Sequence, residues 1–231
     1  MGTMKIPGII GGVGPASTLD YYTGIIDGCR SKFGGNDYPE VLISSINMNE
    51  VITYVRNKDW DALVDKLADT VSALADAGAD FAVLSANTLH IVFDRVAERS
   101  RIPLISIVDE TCRYARSREC RKVLVIGTYF TMSSGIYPAA FKRYGIDAVV
   151  PSDQEQQRIH SLFFPNLENG IVIPEDKQQM LELLSRLILE HNADALVLGC
   201  TELPLMIKEG DLDIPLIDTT KIHIASIVDS I

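Results

Sequence analysis

Short apolar runs alternate with amphipathic segments along the whole of this 231-residue chain. The runs are rich in β-branched residues and lack polar alternation, which is typical of strands covered on both faces. They comprise residues 6–10, 41–46, 81–85, 104–108, 123–126, 195–198 and 216–217. Between them, apolar residues at helical spacing predict a helix from Trp60 that ends at Gly78, and another that is opened by Pro174. This alternation predicts an α/β fold with parallel sheets.

Three pieces of the first half of the chain return in the same order in the second half. ADFAVLSANT at 79–88 resembles ADALVLGCTE at 193–202, IPLI at 102–105 returns at 214–217, and IGG at 10–12 resembles IGT at 126–128. An ordered set of matches indicates two similar halves. We therefore expect two pseudo-symmetric α/β domains, 1–112 plus 208–231 and 113–207, whose strand-end loops face a shared cleft.

The composition narrows the possible function classes. With 21 Lys and Arg against 31 Asp and Glu, the net charge is −10 and no basic stripe is present, so nucleic-acid binding is not expected. No apolar run approaches the roughly 20 residues that cross a bilayer, so a membrane protein is not expected either. The four cysteines lack CxxC spacing and no secretion signal is apparent, which favours a cytoplasmic protein with free thiols. The four histidines lack metal-ligand spacing, so no metal site is expected.

A glycine-rich loop follows the first predicted strand. It reads GGVGPAS at 11–17, but Ser17 replaces the third glycine of a dinucleotide-binding fingerprint and Pro15 stands where the helix should begin. Two interpretations stay open for this loop. It is either a plain strand-to-helix turn or a loop whose backbone N–H groups bind a carboxylate.

Each half of the repeat places polar residues directly after a buried strand. In the first half this loop is SANTLH at 85–90, whose Asn and Thr are good helix caps and whose His90 is expected to be structural. In the second half it is GCTELP at 199–204, where a helix N-terminus is expected to favour the Cys200 thiolate and Glu202 to oppose it. The mirrored loops make Cys200 the leading candidate for chemistry. The other cysteines are interpreted as structural; they are Cys29, Cys112 and Cys120.

Four motifs together resemble the aspartate/glutamate racemase family of cofactor-independent racemases, over essentially the whole chain. They are GGVGP at 11–15, NTLH at 87–90, GTYFTM at 127–132 and GCTEL at 199–203. The resemblance implies two pseudo-symmetric domains with the site in the cleft between them, no cofactor, and a homodimer that acts on an amino acid or a related carboxylate. It also implies that two residues, usually cysteines, stand on opposite faces of the substrate α-carbon. One of them removes a proton and the other delivers one.

Carried over residue by residue, the resemblance makes Cys200 one of these two acid/base residues. Because the hydrogen beside a carboxylate is a very weak acid, the carbanion needs oriented hydrogen-bond donors. By position, the donors to the α-carboxylate are Asn87, Thr88 and Thr201, and the remaining expected substrate-binding residues are Val13, Thr128 and Thr131.

The first catalytic position departs from the family pattern. The residue directly before Asn87 is Ala86, which can neither accept nor donate a proton. Three explanations stay open: an alanine introduced to trap substrate, a natural variant whose second proton carrier is Ser85, His90 or water, and a different reaction. A decarboxylase needs only one proton donor, and single-cysteine arylmalonate decarboxylases resemble this layout. An amino-acid-binding homologue without turnover is a further alternative.

A basic group for a side-chain carboxylate is also missing from the pattern. Acid-specific members of the family usually offer an Arg or Lys there. The only basic residue in the segment 160–170 is His160, which is weakly basic. Between positions 44 and 56 the only Arg is Arg56 itself. Aspartate and glutamate are therefore less favoured as substrates, and the identity of the amino acid is left open.

Overall fold

The computed structural model describes residues 4–231, with the exception of the side chain of Glu168. The strands in this part are β1 (Pro7–Gly11), β2 (Leu42–Ser45), β3 (Phe81–Leu84), β4 (Leu104–Ile105), β5 (Lys122–Gly127), β6 (Asp147–Val149), β7 (Ala195–Gly199) and β8 (Leu216–Asp218). The α-helices are α1 (Pro15–Phe33), α2 (Met48–Asn57), α3 (Trp60–Asp76), α4 (Phe93–Arg99), α5 (Ile107–Ser117), α6 (Tyr129–Ser133), α7 (Ile136–Arg143), α8 (Asp153–Phe163), α9 (Pro174–His191), α10 (Leu203–Met206) and α11 (Thr219–Ser230). Short 3₁₀ helices cover Asn87–Val92 and Leu167–Asn169. None of the described helices has the length and apolar character needed to cross a bilayer.

The described strands form two sheets of four parallel strands each. Their orders are β2-β1-β3-β4 and β6-β5-β7-β8, so each strand of the first sheet has a counterpart at the same place in the second. The matched sequence pieces lie on corresponding strands, which confirms the predicted internal repeat. The predicted class, α/β with two parallel-sheet halves, is also confirmed.

The chain packs as two compact units. One contains the described residues 4–107 together with residues 223–231, and the other consists of Val108–Ile222. The sequence pattern placed residues 208–222 in the first half, whereas β8 hydrogen-bonds to β7 and so completes the second sheet. Residues 108–112, in the first turns of α5, likewise belong to the second unit.

Both helices predicted from the apolar spacing are present. α3 is capped by Asp59, whose carboxylate accepts the N–H of Ala62 at 3.1 Å, and Gly78 adopts a φ of +102° shortly after the helix ends. α9 begins at Pro174, which needs no N–H partner in the first turn, and ends at Asn192 in the left-handed region.

Three strands differ from the prediction for identifiable reasons. β2 lies at a sheet edge and alternates between half-buried and exposed residues, so it is not covered on both faces. β4 is only two residues long, because Ile107 and Val108 of the predicted run begin α5 and are buried there. β6 has no apolar run to reveal it and includes Asp147, which pairs with Lys122 on β5 at 3.3 Å.

Alternate residues of the first sheet face opposite layers, as the two-residue period of a strand requires. Ile10 and Leu84 pack in the apolar cluster on the side of α3. Ile9 and Val83 pack on the other side, with Tyr21 of α1 and with α11. In the second unit one apolar cluster joins β5 and β7 to α8 and α9. The cores hold the strand ends, and therefore the loops after them, in fixed places.

The C-terminal helix α11 is held to the first sheet by the buried side chain of His223. Its Nε2–H donates to the carbonyl of Ile105 at 3.0 Å, and its Nδ1 accepts the hydroxyl of Tyr21 at 2.7 Å. Since a carbonyl can only accept, Nε2 carries a proton, and in the neutral ring Nδ1 is the acceptor of the Tyr21 hydroxyl. Complete burial, with a smaller contribution from the nearby His90, lowers the pKa of His223 to about 3.

This shift gives a pH-dependent stability with a defined sign. Between about pH 6.5 and pH 3 the unfolded chain binds a second proton at His223, whereas the folded state does not. The contribution of His223 to the free energy of unfolding is therefore fully present above about pH 6.5 and is lost as the pH falls through this range. The expected slope is about 1.4 kcal/mol per pH unit at most. The polar groups that face the His223 ring are the Tyr21 hydroxyl, the His90 ring and the Ile105 carbonyl.

Urea unfolding between pH 4 and pH 7 measures this slope in the native chain and in His223→Gln. The glutamine amide can still donate to the Ile105 carbonyl but does not titrate. We expect the variant to be less stable at pH 7 and to lose less stability on acidification. Parallel pH profiles for the two proteins would contradict the assignment to His223.

Candidate active site

The loop after β1 is fixed by backbone geometry that only glycine permits. Gly12 has a φ of +91°, and a Cβ at this position would lie 2.2 Å from the carbonyl oxygen of Ile46. The Gly12 N–H donates to the hydroxyl of Thr18 on α1 at 2.9 Å. Val13 is half-buried against the apolar cluster on the α3 side. No side chain caps the start of α1, which is compatible with a plain turn as well as with a carboxylate-binding loop.

Two buried serines join this loop to the end of β3. The Ser17 hydroxyl donates to the Ser85 carbonyl at 2.6 Å, and the Ser85 hydroxyl donates to the Ile10 carbonyl at 3.1 Å. Ser85 has no exposed surface. Its hydroxyl is therefore committed to the sheet and is poorly placed to carry a proton to a substrate. Ser17, which the sequence singled out only as a missing glycine, is a supporting residue of the site.

The loop that carries Asn87 and Thr88 begins a 3₁₀ helix directly after Ala86. Ala86 and Asn87 are buried, and Thr88 is half-buried. His90 uses both ring nitrogens within the first unit: Nδ1–H donates to the Ala86 carbonyl at 3.0 Å, and Nε2 accepts the N–H of Ile107 at 3.2 Å. This arrangement agrees with the structural role expected for His90.

In the second unit, Thr128 and Thr131 form the cap of the helix after β5. Thr128 Oγ1 accepts the N–H of Thr131 at 3.2 Å and lies 3.0 Å from its hydroxyl. Thr131 is buried, and its side chain packs against Gly127 and Gly199, where an added Cβ would approach it to 3.0 and 3.1 Å. The structure thus brings the Thr128–Thr131 turn beside the strand end that precedes Cys200.

Cys200 is half-buried in the loop after β7, and its thiol donates to Glu202 Oε2 at 2.9 Å. Thr201 lies between them and is also half-buried. The expected helix N-terminus at Cys200 was wrong: α10 has only four residues and starts at Leu203, after Glu202. A helix of one turn supplies little dipole, whereas the hydrogen bond to Glu202 acts on the thiol directly. The sequence predicted only a negative charge opposing the thiolate, and it missed this hydrogen bond.

The other three thiols lie on other elements of the chain. Cys29 is buried in α1 and Cys112 is buried in α5, while Cys120 is half-buried between α5 and β5. Burial raises the pKa of each of them, and that of Cys112 reaches about 12. None of the four cysteines, all of which lie in the described part of the chain, forms a disulfide.

The two basic groups considered for a side-chain carboxylate are poorly suited to that role. His160 stacks on Phe164 with ring centres 5.0 Å apart, its Nδ1 is buried without a hydrogen-bond partner among the described residues, and burial lowers its pKa. It is therefore neutral at pH 7. Arg56 is exposed in the last turn of α2. Among the described residues, no group of three or more His, Cys, Asp or Glu side chains is placed to hold a metal ion.

Known proteins similar in sequence point to one family. Residues 10–227 match the family model for Asp/Glu/hydantoin racemases. The chain is 28% identical over 216 residues to the broad specificity amino-acid racemase RacX of Bacillus subtilis strain 168, and the match covers 92% of each chain.

Solved structures agree with this match. An aspartate racemase homologue from Pyrococcus horikoshii OT3 superposes with a TM-score of 0.87 at 36% identity, over 98% of both chains. The aspartate racemase of Picrophilus torridus superposes with a TM-score of 0.73 at 25% identity, over 98% of this chain and 94% of the other. The chain belongs to the Asp/Glu/hydantoin racemase family.

Proposed function

We propose that this protein is a cofactor-independent amino-acid racemase that transfers the α-proton through Cys200, with one face of its chemistry impaired. The observation that carries the proposal is the thiol of Cys200, half-buried after β7 and hydrogen-bonded to Glu202. Family membership supports amino acids as the substrate class.

The proposed proton path uses two groups of one loop. Glu202 accepts the thiol proton, the Cys200 thiolate removes the α-proton of the substrate, and the electron pair is left on the α-carbon and spread into the α-carboxylate. Return of the proton from the thiol restores the amino acid. A carboxylate at hydrogen-bond distance from the thiol is suited to this role as acceptor.

The developing charge on the α-carboxylate requires donors. We assign this role to Asn87, Thr88 and Thr201, with Val13, Thr128 and Thr131 as further residues of the substrate site. The place of these residues directly after the buried strand β3, with Thr88 half-buried, supports the assignment. Thr128 and Thr131 are hydrogen-bonded to each other, which supports an additional structural role for this pair.

The opposite face of the substrate lacks a protein group for proton transfer in this proposal. Ala86 has none to offer, and the two side chains that could replace it donate elsewhere: Ser85 to Ile10, and His90 to Ala86. Water is the remaining carrier. We therefore expect exchange of the α-proton to be faster than inversion.

The lack of a proton-transferring side chain at Ala86 also favours a second candidate function, a decarboxylase of a substituted malonate. Loss of carbon dioxide leaves a carbanion that one thiol can protonate, so a single cysteine is sufficient. Release of carbon dioxide from such a substrate, without α-proton exchange in amino acids, would identify it. Amino-acid binding without either reaction would identify a non-catalytic homologue.

Three further features belong to the proposal. The neutral His160 and the exposed Arg56 favour substrates without a side-chain carboxylate. The similarity to a broad specificity racemase supports the same choice. We propose a homodimer located in the cytoplasm, which gel filtration with light scattering and cell fractionation can test.

The first prediction concerns Cys200. In deuterated water, at least one member of a panel of L- and D-amino acids should gain deuterium at the α-carbon, and Cys200→Ala should reduce the rate by at least about 100-fold because the proton carrier is gone. Proton NMR of the α-position measures it. Cys120→Ala, which removes another half-buried thiol of the same unit, should leave the rate unchanged. No exchange with any amino acid would overturn the proposal.

A second prediction concerns Ala86. Placing a thiol there with Ala86→Cys should raise inversion, followed by polarimetry or chiral chromatography, by at least about 10-fold relative to exchange, since a second proton carrier becomes available. Ala86→Val is the control that adds volume without a proton. An equal increase with valine, or none with cysteine, would show that the second face is not at residue 86.

Glu202 yields a third prediction. Glu202→Gln keeps the size of the side chain but removes the negative acceptor, so α-proton exchange at pH 7 should fall by about 10- to 100-fold. Glu209→Gln, at an exposed position of the same unit, serves as the control. An unchanged rate in Glu202→Gln would show that the thiol proton leaves by another route.

A further inference from the structure

The imidazole of His90 links the loop that carries Asn87 and Thr88 to a second backbone segment of the first unit. His90 donates from Nδ1 to the carbonyl of Ala86 at 3.0 Å and accepts at Nε2 from the N–H of Ile107 at 3.2 Å. Because a carbonyl only accepts and an amide N–H only donates, the ring must be neutral with its proton on Nδ1. Each ring nitrogen therefore holds a different segment of the backbone.

The His90 ring is fixed in this orientation by its surroundings. It is only 6% exposed and stacks on Phe93 with ring centres 5.1 Å apart. The His223 ring lies nearly perpendicular to it, with ring centres 6.4 Å apart, and His223 in turn donates to Ile105, two residues before Ile107. A ring stacked on Phe93 and hydrogen-bonded at both nitrogens cannot rotate without breaking hydrogen bonds.

The two backbone segments that His90 connects have different places in the chain. The Ala86 carbonyl belongs to the peptide that leads into Asn87, the first residue of the 3₁₀ helix. Ile107 is the last residue of the first unit before the chain enters the second. The His90 side chain thus connects the start of the loop that carries Asn87 and Thr88 to the point at which the chain leaves the first unit.

We propose that His90 is a positioning residue, which orients the peptide between Ala86 and Asn87 and thereby the donors offered by Asn87 and Thr88. The proposal rests on the proposed function of this loop as the holder of the α-carboxylate. His90 itself does not touch the substrate. Its bond to Ile107 holds the ring, and its bond to Ala86 holds the loop.

Two substitutions separate these bonds. In His90→Asn the side-chain amide N–H can take the place of Nδ1–H and keep the bond to Ala86, while the acceptor for Ile107 is lost. In His90→Gln the longer side chain can bring its carbonyl to the place of Nε2 and keep the bond to Ile107, while the donor to Ala86 is lost. Tyr21→Phe is the control, because it removes a hydrogen bond from the same buried cluster without touching the loop.

The first readout is amide hydrogen exchange, followed by mass spectrometry on peptides that cover residues 84–92. We expect His90→Gln to accelerate exchange in this segment by about 10-fold, the effect of one lost hydrogen bond, and His90→Asn and Tyr21→Phe to change it by less than about threefold. Equal acceleration in all three variants, or in none, would overturn the proposal. This readout does not depend on activity.

The second readout is α-deuterium exchange into the best amino acid, measured as kcat and KM at a temperature where every variant is folded. Mispositioned donors should lower kcat/KM by about 10-fold in His90→Gln, with partial recovery in His90→Asn and no loss in Tyr21→Phe. A released loop with unchanged kcat/KM would overturn the positioning role. If the native chain exchanges no amino acid, the proposed function fails, and the amide exchange alone decides whether His90 holds the loop.

Discussion

The pairing of Gly127 with Gly199 decides where the candidate chemistry of the second unit lies. These residues end β5 and β7 and are partners in the parallel ladder, so Thr128 and Cys200 follow from the same rung. A Cβ on either glycine would lie 2.9 Å from a backbone carbonyl of the neighbouring strand and about as close to Thr131. The absence of both side chains lets the strands and the Thr131 side chain come together. The loop of Cys200 is therefore placed by backbone contact rather than by side chains that could repack.

Most of the fold can be predicted from the sequence because buried parallel strands consist of uninterrupted apolar runs. β1, β3, β5 and β7 lie at the centre of their sheets and were all visible in this way. The edge strands carry a weaker signal, since one side of each is not covered by a neighbouring strand. This explains why β6, with its exposed Asp147, was missed and why β2 was predicted to be more buried than it is. The repeat compensated, because a missing strand in one half has a visible counterpart in the other.

The candidate site was only partly predictable for a different physical reason. Cys200 could be selected because the mirrored loops mark the carboxyl ends of equivalent strands, a property of the chain order. The hydrogen bonds that decide what each polar residue can do connect distant segments. Ser85 reaches Ile10 across 75 positions and His90 reaches Ile107 across 17. No local sequence pattern predicts such partners. The sequence alone therefore leaves Ser85 as a candidate proton carrier, whereas the structure shows that its hydroxyl donates to Ile10.

The scaffold around residue 86 explains how an alanine can stand at that position without damage to the fold. The Ala86 carbonyl accepts from His90, and every amino acid supplies the same carbonyl, while the Ala86 methyl group packs in the apolar cluster on the α3 side. The neighbouring side chains of Ser85 and His90 are satisfied by backbone groups and need nothing from the side chain at position 86. Only a side chain small enough for this cluster can therefore replace the methyl group. Such a change would alter the proton transfers available in the proposed reaction, while the hydrogen bond from His90 to the carbonyl of residue 86 is kept.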